Sequence, residues 1–541
     1  MVPCLSDVSL LRSIPLTSLR TIAVVLVLAV LTTLVAAVLL PRTVPATTRA
    51  SSADRPTRLA RPTLRTVLRA VGRYTARTVM VSVPVVLVIV LGGLLINRPM
   101  HYVRNVGDVV KALTPRTQVT SRIAPLPQAS AYDAVPAAAW KASFHDVGDG
   151  SQEATWTGPV SGIKLPVRVV LPAGYRPDDG RTYNVLEGLH GWVGDPQSLV
   201  TGIASPQRLK EAIDAGRIPP SILVFPSLNA DGASQPDCVN INGRPPVGTW
   251  TAEEIPRMIQ ATFPNVTTQR AGWMIMGISA GAYCAARTAY DVPQRFGAVG
   301  VMSSYDLPGE GSLAHSGKTL QAQNGLSTML GKREPDGMRF YVLGAQDDSS
   351  GAARAAWLMD DAVRKPDSLT VDTPASGGHS WTLWNNYFPS LLTWWGSDPA
   401  VFKAAGVTAP QGDTWAKATA AGVKPLSETP KDQRVVGSVS PVRAMPFEIN
   451  GLGTIIVAVV ASLGALGAVM FWSPRWGRRR DGGKQSVARL GGAILGRVVV
   501  ILVAAGLVAL TAGIGANASG GFYTSWRDLR ASVRVNERAG K

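Results

Sequence analysis

Histidine and cysteine are scarce in this chain, and the scarcity narrows the chemistry before any motif is read. Five histidines and three cysteines stand among 541 residues. They show no Cys/His spacing of the kind that builds a metal site, so no metal is expected. Cys238 and Cys284 could pair if their segment faces an oxidising compartment, or stand as two buried thiols. Acidic residues are also few, 36 against 54 lysines and arginines, which leaves a formal net charge of +18. That excess invites a nucleic-acid reading, but its distribution argues against one. Arg42, Arg49, Arg55, Arg58, Arg61, Arg65, Arg69, Arg73 and Arg77 form one cluster, with Asp54 as its only acid. Arg475, Arg478, Arg479, Arg480, Lys484 and Arg489 form a second, beside Asp481. Each cluster lies between two long apolar runs. Short basic loops beside membrane helices mark the cytoplasmic side. The charge therefore reports topology, and no nucleic-acid partner is expected.

What the chain has in abundance is apolar sequence, 46% of residues against 17% charged. It is concentrated at about 21–40, 79–96, 452–472 and 498–516. Each run approaches the roughly 20 helical residues that cross about 30 Å of hydrocarbon. Pro84 and the glycines within them are tolerated in such helices. The expected organisation is two transmembrane helices and a basic loop in 1–96, then a linker over 97–139. A folded domain occupies 140–400, a second linker 401–450, and two more transmembrane helices with a tail fill 451–541. Both basic loops inside would place both termini, and everything from Asn97 to Asn450, outside. The basic tail (Arg527, Arg530, Arg534, Arg538, Lys541) pulls the other way.

Within 140–400 short apolar runs alternate with helical stretches. Strands are expected over 164–172, 183–190, 221–226, 271–276, 297–302, 339–343 and 368–371, with helices over 251–262 and 282–290. Strands alternating with helices in this way mean an α/β domain with a mostly parallel sheet. No internal repeat is present.

The chain is organised around Gly277-Ile278-Ser279-Ala280-Gly281, which joins a buried strand to an Ala-rich helix. Glycines on both sides let the backbone turn tightly and leave the serine hydroxyl exposed, the context of a nucleophile elbow. A serine nucleophile needs a base, and the base an orienting carboxylate. The α/β-hydrolase order is serine, acid, histidine. Of the histidines only His315 and His379 follow Ser279. His315 has no strand-end acid ahead of it. His379 lies in a Gly-flanked loop, and Asp347-Asp348 follow the strand before it. Ser279, Asp347 and His379 are therefore the expected catalytic residues, with Asp348 as the other candidate acid. A tetrahedral intermediate needs two backbone N–H donors. Ala280 is one, and Trp192 in the Leu189-His190-Gly191-Trp192 loop is preferred to Leu189 as the other. His190 precedes the serine and reads as a loop-shaping residue.

The segments Leu171-Pro172-Ala173-Gly174-Tyr175, Leu189-His190-Gly191, Gly277 to Gly281, Pro293-Gln294-Arg295-Phe296-Gly297-Ala298 and His379-Ser380-Trp381-Thr382-Leu383-Trp384 carry a resemblance. Over roughly 150–398 the chain resembles the esterase family that contains esterase D-type carboxylesterases and the mycolyltransferases of mycolate-bearing envelopes. His379-Ser380-Trp381 followed by Trp384 is nearest the mycolyltransferase pattern. Two features depart from it: the acid there is typically glutamate, and those enzymes are usually secreted without four spans. The resemblance implies the α/β-hydrolase fold and an acyl-serine mechanism without a cofactor. The substrate would be an acyl ester or glycolipid, the acceptor water or a sugar hydroxyl, and the neighbour membrane lipid. A catalytically silent envelope scaffold is the rival reading, and the complete serine–acid–histidine order stands against it.

Overall fold

The computed structural model describes residues 13–44, 64–100, 105–113, 122–192, 194–230, 237–309, 311–434, 447–449, 451–476, 487–520, 526 and 529–530. The chain divides into two compact units. One is Pro15–Arg98 with Ala444–Gly520, and the other comprises Met1–Ile14, Pro99–Arg443 and Gly521–Lys541.

The first unit is helical. Leu19–Leu39, Leu64–Met100, Leu452–Gly467 and Val487–Gly520 are its long helices, and each belongs to a segment long and apolar enough to cross a membrane. This is the pattern of a multi-pass membrane protein. Two of the helices run well beyond the apolar stretches that mark them in sequence, because no proline interrupts 64–78 or 487–497. Their outward faces carry exposed Val24, Leu31, Val35, Val86 and Val460, a surface suited to hydrocarbon. The inward contact uses small residues, Ala36 and Ala37 against Ala504 and Ala505, which let backbones approach closely. Two buried guanidiniums satisfy carbonyls near helix ends, which lack intrahelical partners. Arg77 donates to Thr43 Oγ1 at 2.7 Å, to the Thr43 carbonyl at 3.1 Å and to the Met470 carbonyl at 3.2 Å. Arg497 donates to the carbonyls of Ala37 at 2.6 Å and Trp476 at 2.9 Å.

The second unit is built on a nine-stranded sheet. Its strands are β1 (His145–Asp146), β2 (Gln152–Thr157), β3 (Lys164–Val170), β4 (Asn184–Leu189), β5 (Ser221–Pro226), β6 (Trp273–Ile278), β7 (Ala298–Met302), β8 (Arg339–Leu343) and β9 (Ser368–Asp372). In space they run β9-β8-β7-β6-β4-β5-β3-β2-β1. The pairs from β5 to β9 are parallel, and the β1, β2 and β3 side is antiparallel. The parallel strands β4, β5, β6 and β7 are buried along their whole length, which is why they read as near-continuous apolar runs. One face of the sheet (Val185, Val224, Ile275, Val299) packs on the helix Ala280–Asp291. The other (Leu186, Leu223, Met274, Met276) packs on Phe388, Leu391 and Trp395 of the helix Trp381–Gly396. This mixed, mostly parallel sheet, covered by helices on both faces and carrying a serine elbow after β6, is an α/β-hydrolase fold.

The domain is wider than the expected 140–400. On the N-terminal side Ile123 pairs with Ile241, and Tyr132 is buried beneath the Arg257 guanidinium, 4.8 Å from its ring centroid. On the C-terminal side helices Pro399–Ala404 and Thr414–Ala420 lead into a strap. The strap is pinned where Ser427 N–H donates to Asp372 at 3.0 Å, Thr429 N–H to Thr373 Oγ1 at 2.9 Å, and Arg434 to Asp360 at 2.8 Å. The polar, Ala- and Pro-rich composition of these segments concealed them, since polar bonds hold much of each in place. Cys238 and Cys284 form a disulfide with Cα atoms 5.2 Å apart, which resolves the alternative left open in the sequence. Cys4 and the tail residues Arg527, Arg534, Arg538 and Lys541 lie outside the described residues.

Candidate active site

Register places the site. Leu189 of β4 stands opposite Gly277 of β6, and Ile278 opposite Met302 of β7, so three strand ends converge on Ser279. Ser279 has φ +55° and ψ −123°, a conformation that costs a residue with a side chain on the order of 1–3 kcal/mol. Both flanking glycines are sterically required. A Cβ at Gly277 would run into the Gly281 carbonyl, and one at Gly281 into the carbonyls of Leu189 and His190. The turn is therefore the strained strand-to-helix elbow, with Ala280 opening the following helix.

His379 reaches the elbow from the loop ahead of the helix Trp381–Gly396. Its Nε2 lies 2.8 Å from Ser279 Oγ, and its Nδ1 lies 2.9 Å from Asp348 Oδ2. The carboxylate beside Nδ1 favours a proton there, which leaves Nε2 free to accept the serine proton. The expected acid was Asp347, and the structure places Asp348 at the histidine instead. The reason is local. A turn in which Asp348 N–H donates to the Ala345 carbonyl at 3.1 Å brings the Asp348 side chain to His379, where it is buried. Burial works to raise the Asp348 carboxyl, but the attraction and hydrogen bond of His379, with the Ser350 bonds, hold it below its ordinary value. Asp347 has another task. It accepts from Gly378 N–H at 2.8 Å and Gly377 N–H at 3.2 Å, and so shapes the loop that carries His379.

The remaining expected positions fall around this centre. The β4 loop passes over the serine, and a Cβ at Gly191 would lie 3.2 Å from Ser279 Cβ. Trp192 follows Gly191 in that loop. His190 is buried, with Nε2 accepting from Leu228 N–H at 3.0 Å and Nδ1 2.9 Å from the Gly191 carbonyl, the bonding of a loop-shaping residue. His315 bonds the Gly311 carbonyl through Nδ1 at 2.6 Å. Among the described residues, no three His, Cys, Asp or Glu side chains gather where they could hold a metal ion.

Trp384 belongs to the motif that follows His379, but its part in the site, and that of Ser303, were not legible in the sequence. The Trp384 ring stands edge-on to His379, centroids 5.1 Å apart at 87°. Its Nε1 donates to Ser303 Oγ at 3.0 Å, and Ser303 is fully buried with φ +57°. Ser303 directly follows β7, and a serine at a strand end, in register with the elbow, is the one signal that could have drawn attention to it.

Residues 159–394 match the model of the family described as "Putative esterase". No curated protein matches the chain. Similar solved structures include a ferulic acid esterase, 18% identical, covering 45% of this chain and 96% of its own, with a TM-score of 0.40. An S-formylglutathione hydrolase from Agrobacterium tumefaciens is 16% identical over 47% of this chain and 97% of its own, with a TM-score of 0.37. A ferulic acid esterase from Anaeromyces mucronatus, in complex with ferulic acid, is 17% identical over 52% and 97%, with a TM-score of 0.36.

Proposed function

Because residues 159–394 form an esterase-family domain of the α/β-hydrolase fold, in a chain with four long apolar helices, we propose that this protein is a membrane-anchored serine esterase. The observation that carries the reading is the unbroken line from Ser279 Oγ through His379 to Asp348, with contacts of 2.8 and 2.9 Å. Ser279 attacks the carbonyl of an acyl ester while His379 takes its proton at Nε2. His379 returns that proton to the leaving alcohol, and the acyl group stays on Ser279. Water, activated by the same Nε2, then releases the acid. Asp348 holds the imidazole in the tautomer this requires and stabilises its charged form. The backbone N–H groups of Ala280 and Trp192 are the assigned oxyanion donors. The first opens a helix whose N-terminus favours negative charge, and the second lies in the loop that crosses the serine.

The domain faces the extracytoplasmic side in this reading. Basic loops between the paired spans favour that arrangement, and the Cys238–Cys284 disulfide is at home in an oxidising compartment. The test is a fluorophosphonate probe on the purified protein, with the labelled peptide located by mass spectrometry. Label on Ser279, lost in Ser279→Ala together with ester turnover, is the expected result. Full labelling of Ser279→Ala would overturn the assignment. Turnover with and without a sugar or glycolipid acceptor separates hydrolysis from acyl transfer.

A further inference from the structure

The acid at the end of the Ser279–His379 line has a partner besides the histidine. The Asp348 side chain is fully buried and that of His379 keeps 14% exposure, whereas Ser350 stands at the surface. Two consecutive turns after β8 bring the three together. Asp348 N–H donates to the Ala345 carbonyl at 3.1 Å, and Gly351 N–H donates to the Asp348 carbonyl at 3.1 Å. Gly351 takes φ +79°, which glycine adopts without strain, and the helix Ala352–Ala362 follows. The second turn folds Ser350 back over Asp348, so that Ser350 N–H donates to Asp348 Oδ1 at 2.8 Å.

The two carboxylate oxygens are thus divided, Oδ2 to His379 Nδ1 at 2.9 Å and Oδ1 to the Ser350 backbone. The Ser350 hydroxyl bonds the same carboxylate and also lies 3.4 Å from His379 Nδ1. A hydroxyl has one proton to donate and lone pairs with which to accept. Donating to Asp348, it still has a lone pair turned to the Nδ1 proton, and at 3.4 Å that second contact is the weaker one. Ser350 therefore touches both partners of the acid–histidine bond and is the most exposed of the three. A donor to an ionised acceptor makes a bond roughly twice as strong as a neutral pair. Tied to the turn, this donor holds the carboxylate in one place, which a passing water does not.

We propose that Ser350 is a positioning residue of the catalytic line, its hydroxyl holding the Asp348 carboxylate against His379 Nδ1. This role presupposes the serine-esterase reading above and adds to it how the acid is kept in line. Ser350 exchanges no proton with substrate and acts through Asp348. What it secures is alignment of the base, so its loss falls on kcat rather than on KM.

The test uses the full chain purified in detergent and steady-state kinetics on a soluble aryl ester. Ser350→Ala keeps the backbone N–H to Asp348 and removes only the hydroxyl. It should lower kcat about tenfold with KM little changed. Ser350→Thr restores a hydroxyl and should recover most of the loss. Ser349→Ala, at the exposed position one residue earlier, is the control and should leave kcat unchanged. A double-mutant cycle then asks through which group Ser350 acts. In an Asp348→Asn background, Ser350→Ala should cost less than about twofold more, because the carboxylate it positions is gone. Fluorophosphonate label on wild-type Ser279 together with an unchanged kcat in Ser350→Ala would overturn the role of Ser350 and leave the esterase reading standing. A full multiplicative loss in the double variant would overturn it too, since Ser350 would then act independently of Asp348. An equal loss in Ser349→Ala would reduce the effect to a general disturbance of the loop and overturn it as well. Failure of wild-type Ser279 to label would remove the esterase reading and this role with it.

Discussion

Trp384 and Ser303 are joined by a hydrogen bond of 3.0 Å that fixes the indole against the imidazole of His379. The donor comes from the helix that follows the histidine loop, and the acceptor from the end of β7. The same strand end receives the Ser279 backbone, whose N–H donates to the Met302 carbonyl at 2.9 Å. One bond thus ties the wall behind the histidine to the strand beside the serine.

Trp384→Phe keeps a ring against His379 but removes the donor and leaves the buried Ser303 hydroxyl unsatisfied, a cost of about 1–3 kcal/mol. The expected result is a kcat lowered about tenfold with KM little changed, since what is lost is alignment of the base. Steady-state kinetics on a soluble aryl ester would show it. An unchanged kcat would mean the imidazole is held by Asp348 alone.

The two acids separate cleanly by their partners. Asp348→Asn should lower kcat by roughly three to four orders of magnitude, because an amide no longer selects the Nδ1–H tautomer. Asp347→Asn keeps an acceptor for Gly377 and Gly378 N–H and should cost about tenfold or less. Measuring kcat for both decides the matter, and the reverse ranking would return the role to Asp347.

That pair also marks how far the sequence could be read. The elbow at Ser279 and the Gly-flanked His379 are local patterns, and the serine–acid–histidine order follows chain direction, so both were legible. Asp347 and Asp348 follow the same strand and look alike in sequence. Only the turn onto Ala345 decides which side chain points inward, and that turn is set by tertiary packing. Ser303 and Trp384 are 81 residues apart, and nothing in either local sequence announces the other. The domain edges were misjudged for a related reason: segments such as 424–434 are held by polar bonds, which leave no apolar periodicity to read. The four apolar helices were plain because hydrocarbon length is written directly into composition.

The strap makes a prediction about pH. Asp372 is buried, accepts from Tyr341 O–H at 2.7 Å and from Ser427 N–H at 3.0 Å, and burial pushes its carboxyl up to about 6. An unfolded aspartate titrates near 3.9, so folding favours the protonated form. The associated stability is fully present below about pH 4 and is lost as pH rises through about 6. A shift of that size corresponds to an upper bound of about 3 kcal/mol. Asp372→Asn, neutral at every pH, should therefore melt higher than wild type at pH 7.5 and with little difference near pH 4. Thermal unfolding at the two pH values checks it. Asp237, also pushed up to about 6 by burial, should leave the variant a residual slope of the same sign.

The last prediction decides where the chemistry takes place. Nine arginines against one acid between the first two apolar runs favour a cytoplasmic side for that loop. Carrying charged residues across a bilayer is costly, about 2.5–3.5 kcal/mol for each Lys or Arg at a helix centre. The second basic loop asks independently for the same side. One span separates each loop from the domain, so the proposed topology puts the domain opposite to both. Ser130 and Ala420 are exposed on the domain, and cysteines placed there should react with an impermeant thiol reagent in intact cells. Cysteines at Ser51 and Gly482 should react only after permeabilisation. The disulfide offers a second reading of the same question. In an oxidising compartment Cys238 and Cys284 should resist alkylation until a reductant is added, and Ser replacement of both should cost about 4 kcal/mol of stability for a loop of 46 residues by the chain-entropy argument. Labelling at Ser51 but not Ala420 in intact cells, with both native thiols free, would invert the topology and make the enzyme a cytoplasmic one.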